Sequence, residues 1–324
     1  MKRILFPLLT VAVCLVVIFL CIETYVRVVI DDGKQFDLEM WKYAKEVKIV
    51  DPDPLIGHRH APNRKAFLMG VWLQTNSQGL RDREYSFEKP AGVLRVLMLG
   101  DSLTEGWGVP EQDTFVRRVE RLYADHGVKA EVINTGVGNW NTIQEVEFFM
   151  TDAYRYNPDV IVLNYAINDA EPVPHDRPPS FLMRHCYSCV FLLGRLDVLK
   201  RMIFPGEDWR DYYLGLFGDG TTKGWKDSKA AMKKLVDYCR QHGIKLLIAS
   251  HPELHDVQHY QLQRITDFVR DAAAEYDVPF VDLLPYVQGV PSSQLWVTPP
   301  DPHPNALADK YLAQGLYEAL EKLE

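Results

Sequence analysis

From residue 93 to the carboxyl end, apolar runs of strand length alternate with longer stretches of helical periodicity. Such alternation is the mark of βαβ units, and it confines the chain to an α/β fold with a parallel sheet between helices. The expected strands are 93–99, 130–133, 160–165, 244–249 and 278–281. Between and after them, helices are expected at 114–126, 142–156, 225–242 and 257–276, with a last one from about 306 to 323. Gly127 and Gly243 stand where the first and third of these helices should stop. One connection is too long for a simple loop. Residues 171–224 are Pro-rich at first and then aromatic (Trp209, Tyr212, Tyr213, Phe217), which reads as a cap or lid, or as a scaffold cover without substrate contact. His175, His185 and Asp176 in this insertion are expected to be solvated.

Upstream of the alternation lies a different kind of text. Lys2 and Arg3 precede an uncharged stretch, 4–22, about as long as a helix needs to cross a bilayer core. The stretch ends Phe19-Leu20-Cys21-Ile22-Glu23 with no small-x-small cleavage site, so an uncleaved signal anchor is expected. Leu20 before Cys21 is a poor match to a lipoprotein processing site. Two positive charges before the span, against a mixed flank of Glu23, Arg27, Asp31 and Asp32 after it, favour a cytoplasmic amino terminus and an extracytoplasmic remainder, periplasmic or extracellular. Residues 36–47 place Phe36, Met40, Tyr43, Ala44 and Val47 at helical intervals, an amphipathic helix that could lie on the membrane or on the domain. Residues 51–90 are rich in turn signals with short apolar runs and read as a small β-rich lead-in. The expected organisation is therefore a signal-anchor span at 1–30, a juxtamembrane helix and lead-in at 31–90, and an α/β domain at 91–324 carrying the insertion.

Charge and cysteine usage exclude several classes. A formal net charge of −8 and the absence of a long Lys/Arg run leave no footprint for nucleic acid. Cys14 and Cys21 fall in the span, and Cys186, Cys189 and Cys239 do not make a disulfide scaffold. Cys186 and Cys189 beside His185 lack a second ligand pair for zinc, so a local disulfide or two plain cysteines is expected. His251, His255 and His259 stand four apart, but Pro252 interrupts any helix there and no Glu is placed as in HExxH, so no metal is expected. No GxGxxG or phosphate loop follows the first strand, and no cofactor is called for.

The chemistry gathers at strand ends, which is where open α/β sheets bind ligands. Gly100-Asp101-Ser102-Leu103-Thr104-Glu105-Gly106, Asn134-Thr135-Gly136-Val137-Gly138-Asn139, Asn164-Tyr165-Ala166-Ile167-Asn168-Asp169 and Asp301-Pro302-His303-Pro304-Asn305 occur in this order, each after an expected strand or before the last helix. Taken together they resemble the ordered blocks of the SGNH (GDSL-like) serine hydrolases. The resemblance implies a three-layer, flavodoxin-like fold and a serine esterase or acylhydrolase. A serine hydroxyl is a poor nucleophile until a base takes its proton, so Ser102 needs His303. A carboxylate must then hold the imidazole, and Asp301 is the nearest candidate. The family's acid usually stands three residues before the histidine, where this chain has Pro300, and Asp282 is the fallback. An oxyanion needs fixed donors: the amide of Ser102, that of Gly138 or Asn139, and the side chain of Asn168. The glycine expected in the second block is shifted, leaving Asn139 in a turn whose left-handed backbone asparagine tolerates. Asp101 and Asp169 are read as residues that shape their turns.

The expected activity is hydrolysis of an ester through an acyl-enzyme, on an acylated small molecule or polysaccharide. An anchored, outward-facing example points to deacetylation of a cell-surface or exported polysaccharide. The alternatives are an O-acetyltransferase using the same triad and a noncatalytic scaffold of an envelope assembly.

Overall fold

The computed structural model describes residues 2–174, 181–204, 206, 208–299 and 301–323. The chain begins with α1 (Lys2–Tyr25), prolonged by a π-helical turn at Val26–Ile30. The segment Phe6–Ile30 is long and apolar enough to cross a membrane, and its side chains up to Ile22 are exposed. The helix α2 (Phe36–Glu46) follows, then two small antiparallel pairs: β1 (Lys48–Val50) with β2 (His58–His60), and β3 (Lys65–Leu68) with β4 (Val71–Gln74). Tyr43, Val47, Ala66, Leu68, Met69 and Leu73 bury one another together with Trp107 of the domain beyond. The lead-in is thus seated on the catalytic domain by apolar burial.

That domain is built on β5 (Leu94–Leu99), β6 (Ala130–Asn134), β7 (Val160–Tyr165), β8 (Lys245–Ser250) and β9 (Phe280–Asp282). All pair in parallel, in the order β6-β5-β7-β8-β9. Successive side chains of β5 serve opposite faces, as the pleat demands. Leu97 and Leu99 join one buried cluster, and Val96 and Met98 join the other. Both faces are covered, which is why these strands read as continuous apolar runs. Among the helices, α3 (Ser102–Glu105) is a single turn directly after β5, and α4 (Phe115–Asp125) follows, capped by Thr114. The helix α5 (Thr142–Thr151) is capped by Asn141, whose side chain accepts from the amides of Ile143 and Gln144.

The insertion is helical: α6 (Phe181–His185), α7 (Tyr187–Ile203) and α8 (Trp209–Phe217). Cys186 and Cys189 form a disulfide across the first turn of α7. His175 and Asp176 lie outside the described residues. After α9 (Lys223–His242) come α10 (Gln263–Glu275) and the short α11 (Leu284–Val287). A hairpin of β10 (Trp296–Thr298) and β11 (Asp301–Pro304) leads into α12 (Ala306–Glu321). One cluster packs α5, α9 and α10 on the sheet; the other packs α4 and α12.

Two helices differ from their sequence expectation. The helix expected at 257–276 starts only at Gln263. The amide of Val257 donates to Ser292 Oγ at 3.0 Å and the Gln258 side chain to the Val290 carbonyl at 2.5 Å, so the segment before Gln263 is held by tertiary partners. The helix expected at 142–156 breaks at Asp152, and a 3₁₀ turn at Ala153–Tyr156 closes on Asn157 in the left-handed region.

Candidate active site

The sheet order places β5 between β6 and β7, so the chain leaves β5 to one side and returns on the other. The crevice at the carboxyl ends of these strands is the position where such sheets take ligands. Ser102 stands there as the first residue of α3. Asp101 caps that turn, its carboxylate accepting from the amide of Leu103 at 2.9 Å. Gly136 of the neighbouring loop passes so close that a Cβ would come within 2.8 Å of the Asp101 carbonyl oxygen, which requires glycine there. The loops after β5, β6 and β7 are tied together by asparagines. Asn134 Nδ2 donates to the Thr104 carbonyl at 2.8 Å and Asn164 Nδ2 to the Leu99 carbonyl at 2.8 Å.

Ser102 Oγ lies 2.9 Å from His303 Nε2. The other ring nitrogen, Nδ1, lies 2.5 Å from Asp301 Oδ1, and Trp107 Nε1 donates to Asp301 Oδ2 at 2.9 Å. Residues 301–304 form the strand β11, and this extended backbone is what lets an acid only two residues before the histidine reach the ring. Asp301 has no exposed surface. Burial alone would push its carboxyl up, but the hydrogen bonds and charge of His303, with the Trp107 donor, outweigh that and hold it below the ordinary value. His303 moves in the opposite sense: burial lowers it, and the bond and charge of Asp301 more than compensate, leaving it raised. Asp282 is elsewhere, accepting from the Leu284 amide at 3.0 Å and facing Arg270 at 3.5 Å.

The remaining candidate residues converge on one cavity of about 320 Å³, lined by Ser102, Gly138, Asn139, Asn168 and His303 among others. Asn139 has φ 65°, the left-handed conformation the sequence anticipated for this turn. The two candidate amides are not equivalent. The amide of Gly138 donates to Tyr43 Oη at 2.8 Å, while its carbonyl accepts from Lys48 Nζ at 2.6 Å. Gly138 therefore spends its N–H on the lead-in, whereas Asn139 lines the cavity. Asn168 is held by its own amide, Nδ2 donating to the Trp140 carbonyl at 3.1 Å.

Behind the turn at Gly138 and Asn139 lies a buried polar group that the sequence motifs did not contain. Tyr43 Oη is 2.6 Å from His60 Nε2, whose ring in turn approaches Glu105 Oε1 at 3.4 Å. Burial raises Glu105, but His60 and Arg81 outweigh it and hold the carboxyl below its ordinary value. Beneath the site a second set of carboxyls, Asp101, Glu145 and Asp169, is fully buried, and burial lifts all three above the usual range. Asp169 accepts from Thr142 Oγ1 at 2.9 Å and from the Ala166 amide at 2.5 Å, so it shapes its turn as expected. Trp107 and Tyr43 were missed because neither belongs to a block; Trp107 follows the first block by a single residue, which is the only hint the sequence carries.

The insertion supplies a wall. Glu171, Trp209 and Tyr213 line the cavity together with Phe36 and Met40 of α2, and the His255 ring lies tilted against Trp209 at 4.8 Å between ring centres. The three spaced histidines do not converge: His251 is buried 3.0 Å from Asn164 Oδ1 and pushed down to about 3 by burial, His255 pairs with Glu253, and His259 is exposed.

The model of the GDSL-like lipase/acylhydrolase family matches residues 98–310. No curated protein matches the chain. Among solved structures, LAE5, an alpha/beta hydrolase from a Lake Arreo metagenome, is 15% identical with a TM-score of 0.48, over 74% of this chain and 99% of its own. TesA is 14% identical (TM-score 0.47; 71% and 99%). The acetylxylan esterase Axe2 from Geobacillus stearothermophilus is 16% identical (TM-score 0.47; 70% and 94%).

Proposed function

This chain belongs to the GDSL-like lipase/acylhydrolase family and is an ester hydrolase, and from that premise we propose that it removes acetyl groups from a polysaccharide outside the cytoplasm, with Ser102 as nucleophile. The observation that carries the reading is the continuous line from Ser102 Oγ through His303 to Asp301, opening on a cavity. His303 Nε2 takes the Ser102 proton as Oγ attacks the ester carbonyl. The oxygen of the tetrahedral intermediate receives the amides of Ser102 and Asn139 and the side chain of Asn168. His303 then protonates the leaving alcohol, and a water repeats the sequence on the acyl-enzyme to release acetate.

A cavity of about 320 Å³ suits a short acyl group and part of a sugar ring better than a long chain. Trp209, Tyr213, Glu171 and Glu253 are among the residues lining the cavity, a mixture of aromatic and acidic side chains that suits a carbohydrate. Lys2 and Arg3 at the start of α1 favour a cytoplasmic amino terminus, and the Cys186–Cys189 disulfide suits an oxidising compartment for the rest. The test uses the full chain in detergent, with p-nitrophenyl esters of increasing acyl length and acetylated oligosaccharides. Acetyl esters should turn over fastest, and Ser102→Ala should lower kcat by about 10³-fold or more with the protein still folded. Preference for long acyl chains would overturn the deacetylase reading, and acetyl appearing on an added sugar rather than in water would make the enzyme a transferase.

A further inference from the structure

The helix α7 is apolar on two opposite sides, and only one is covered. On the covered side Val190, Tyr187 and Phe191 pack with Val26, Ile30, Leu38 and Trp41. Its amino terminus is fixed to the last turns of α1. Glu23 accepts from the amides of Tyr187 at 3.0 Å and Ser188 at 2.8 Å and from Ser188 Oγ at 2.6 Å, and Arg27 Nη2 donates to the His185 carbonyl at 2.6 Å. Glu23 thus sits at the positive end of α7, where a carboxylate is favoured.

Opposite this docked side, Leu192, Leu196, Leu199 and Ile203 recur at i, i+4, i+7 and i+11, the spacing of a single helical face. They are 47%, 58%, 50% and 59% exposed, with Leu193 beside them at 52%. Nothing among the described residues covers this stripe. We propose that it lies in the bilayer interface, so that α7 is a second membrane contact beside the span α1.

Two observations select lipid as the occupant. First, the stripe is continuous with the membrane-crossing segment: the first turn of α7 is bonded to Glu23, the residue that ends the uncharged stretch, so α7 starts at the depth where α1 leaves the bilayer. Second, Arg195, Lys200 and Arg201 outnumber Asp197 on α7, the balance expected of a helix lying on anionic headgroups. Such a helix, about 25 Å long at 1.5 Å per residue, would hold the catalytic domain at a fixed tilt instead of letting it swing on a single span. Because Trp41 of α2 packs on α7 while Phe36 and Met40 line the cavity, the same contact fixes the cavity mouth relative to the membrane surface.

The proposal rests on α1 being inserted in the membrane, and the experiment separates the two. The full chain, reconstituted in vesicles of phosphatidylcholine and phosphatidylglycerol, carries the photo-crosslinker p-benzoylphenylalanine in place of Leu196, Leu15 or Tyr154, one at a time. Ester turnover equal to that of the parent shows that each variant is folded. Lipid adducts at 196 and 15, several-fold above those at the exposed, remote position 154, are the expected result. Adducts at 15 with none at 196 overturn the α7 contact and leave the span standing; a polypeptide adduct at 196 overturns it in favour of a protein partner. No lipid adduct at 15 overturns both.

Discussion

His303 has two partners with opposite effects on its proton. Asp301 stabilises the charged ring and Ser102 needs it neutral, so the raised value of His303 sets where activity begins. A base must be deprotonated to work, and the acid limb of the pH profile of kcat/KM should therefore lie above the ordinary histidine value of 6.5. Stability runs the other way: the charged pair contributes fully below that value and the contribution fades as pH climbs through the raised one. Asp301→Asn should move the acid limb to lower pH and reduce kcat by about 10²–10⁴-fold. A limb that stays in place while kcat falls would assign Asp301 to holding Trp107 alone.

At the scale of elements, α2 and the lead-in support the oxyanion turn, since the amide of Gly138 is bound by Tyr43 and its carbonyl by Lys48. Tyr43→Phe keeps the ring against Trp107, at 5.3 Å between centres, but removes the oxygen. A buried amide left without an acceptor costs about 1–3 kcal/mol. If half of that is felt as displacement of the Asn139 donor, kcat should fall about two- to tenfold, together with a lower Tm. Thermal unfolding and steady-state kinetics of the same preparation check both. A lower Tm with unchanged kcat would confine Tyr43 to a structural role.

For the molecule as a whole, one buried cluster draws on residues from both sides of position 90. Ile56, Leu80 and Tyr85 of the lead-in belong to the same buried cluster as Leu97, Ile133 and Ile161 of the sheet. Elements that share one core melt together. The lead-in and hydrolase domain should unfold in a single transition, with tryptophan fluorescence, far-ultraviolet circular dichroism and ester turnover lost at the same midpoint. An early fluorescence transition that spares the far-ultraviolet signal would make the lead-in a separate unit.

The alternation of periods wrote the sheet into the sequence, because strand and helix periodicities are local and both faces of these strands are buried. The blocks at strand ends likewise placed Ser102, Asn168 and His303 in one crevice, since chain order along a parallel sheet fixes which loops meet. The start of the helix that ends at Glu275 was not legible, because residues 257 and 258 are held by Ser292 and the Val290 carbonyl, distant contacts that no local pattern reveals. Tertiary structure alone set Asp301 rather than Asp282 against His303 and engaged the amide of Gly138. Trp107 and Tyr43 reach their partners across 194 and 95 residues of chain. Periodicity carries no record of such contacts: a hydrogen bond depends on where two atoms lie in the folded chain, and that is fixed only when separate elements pack.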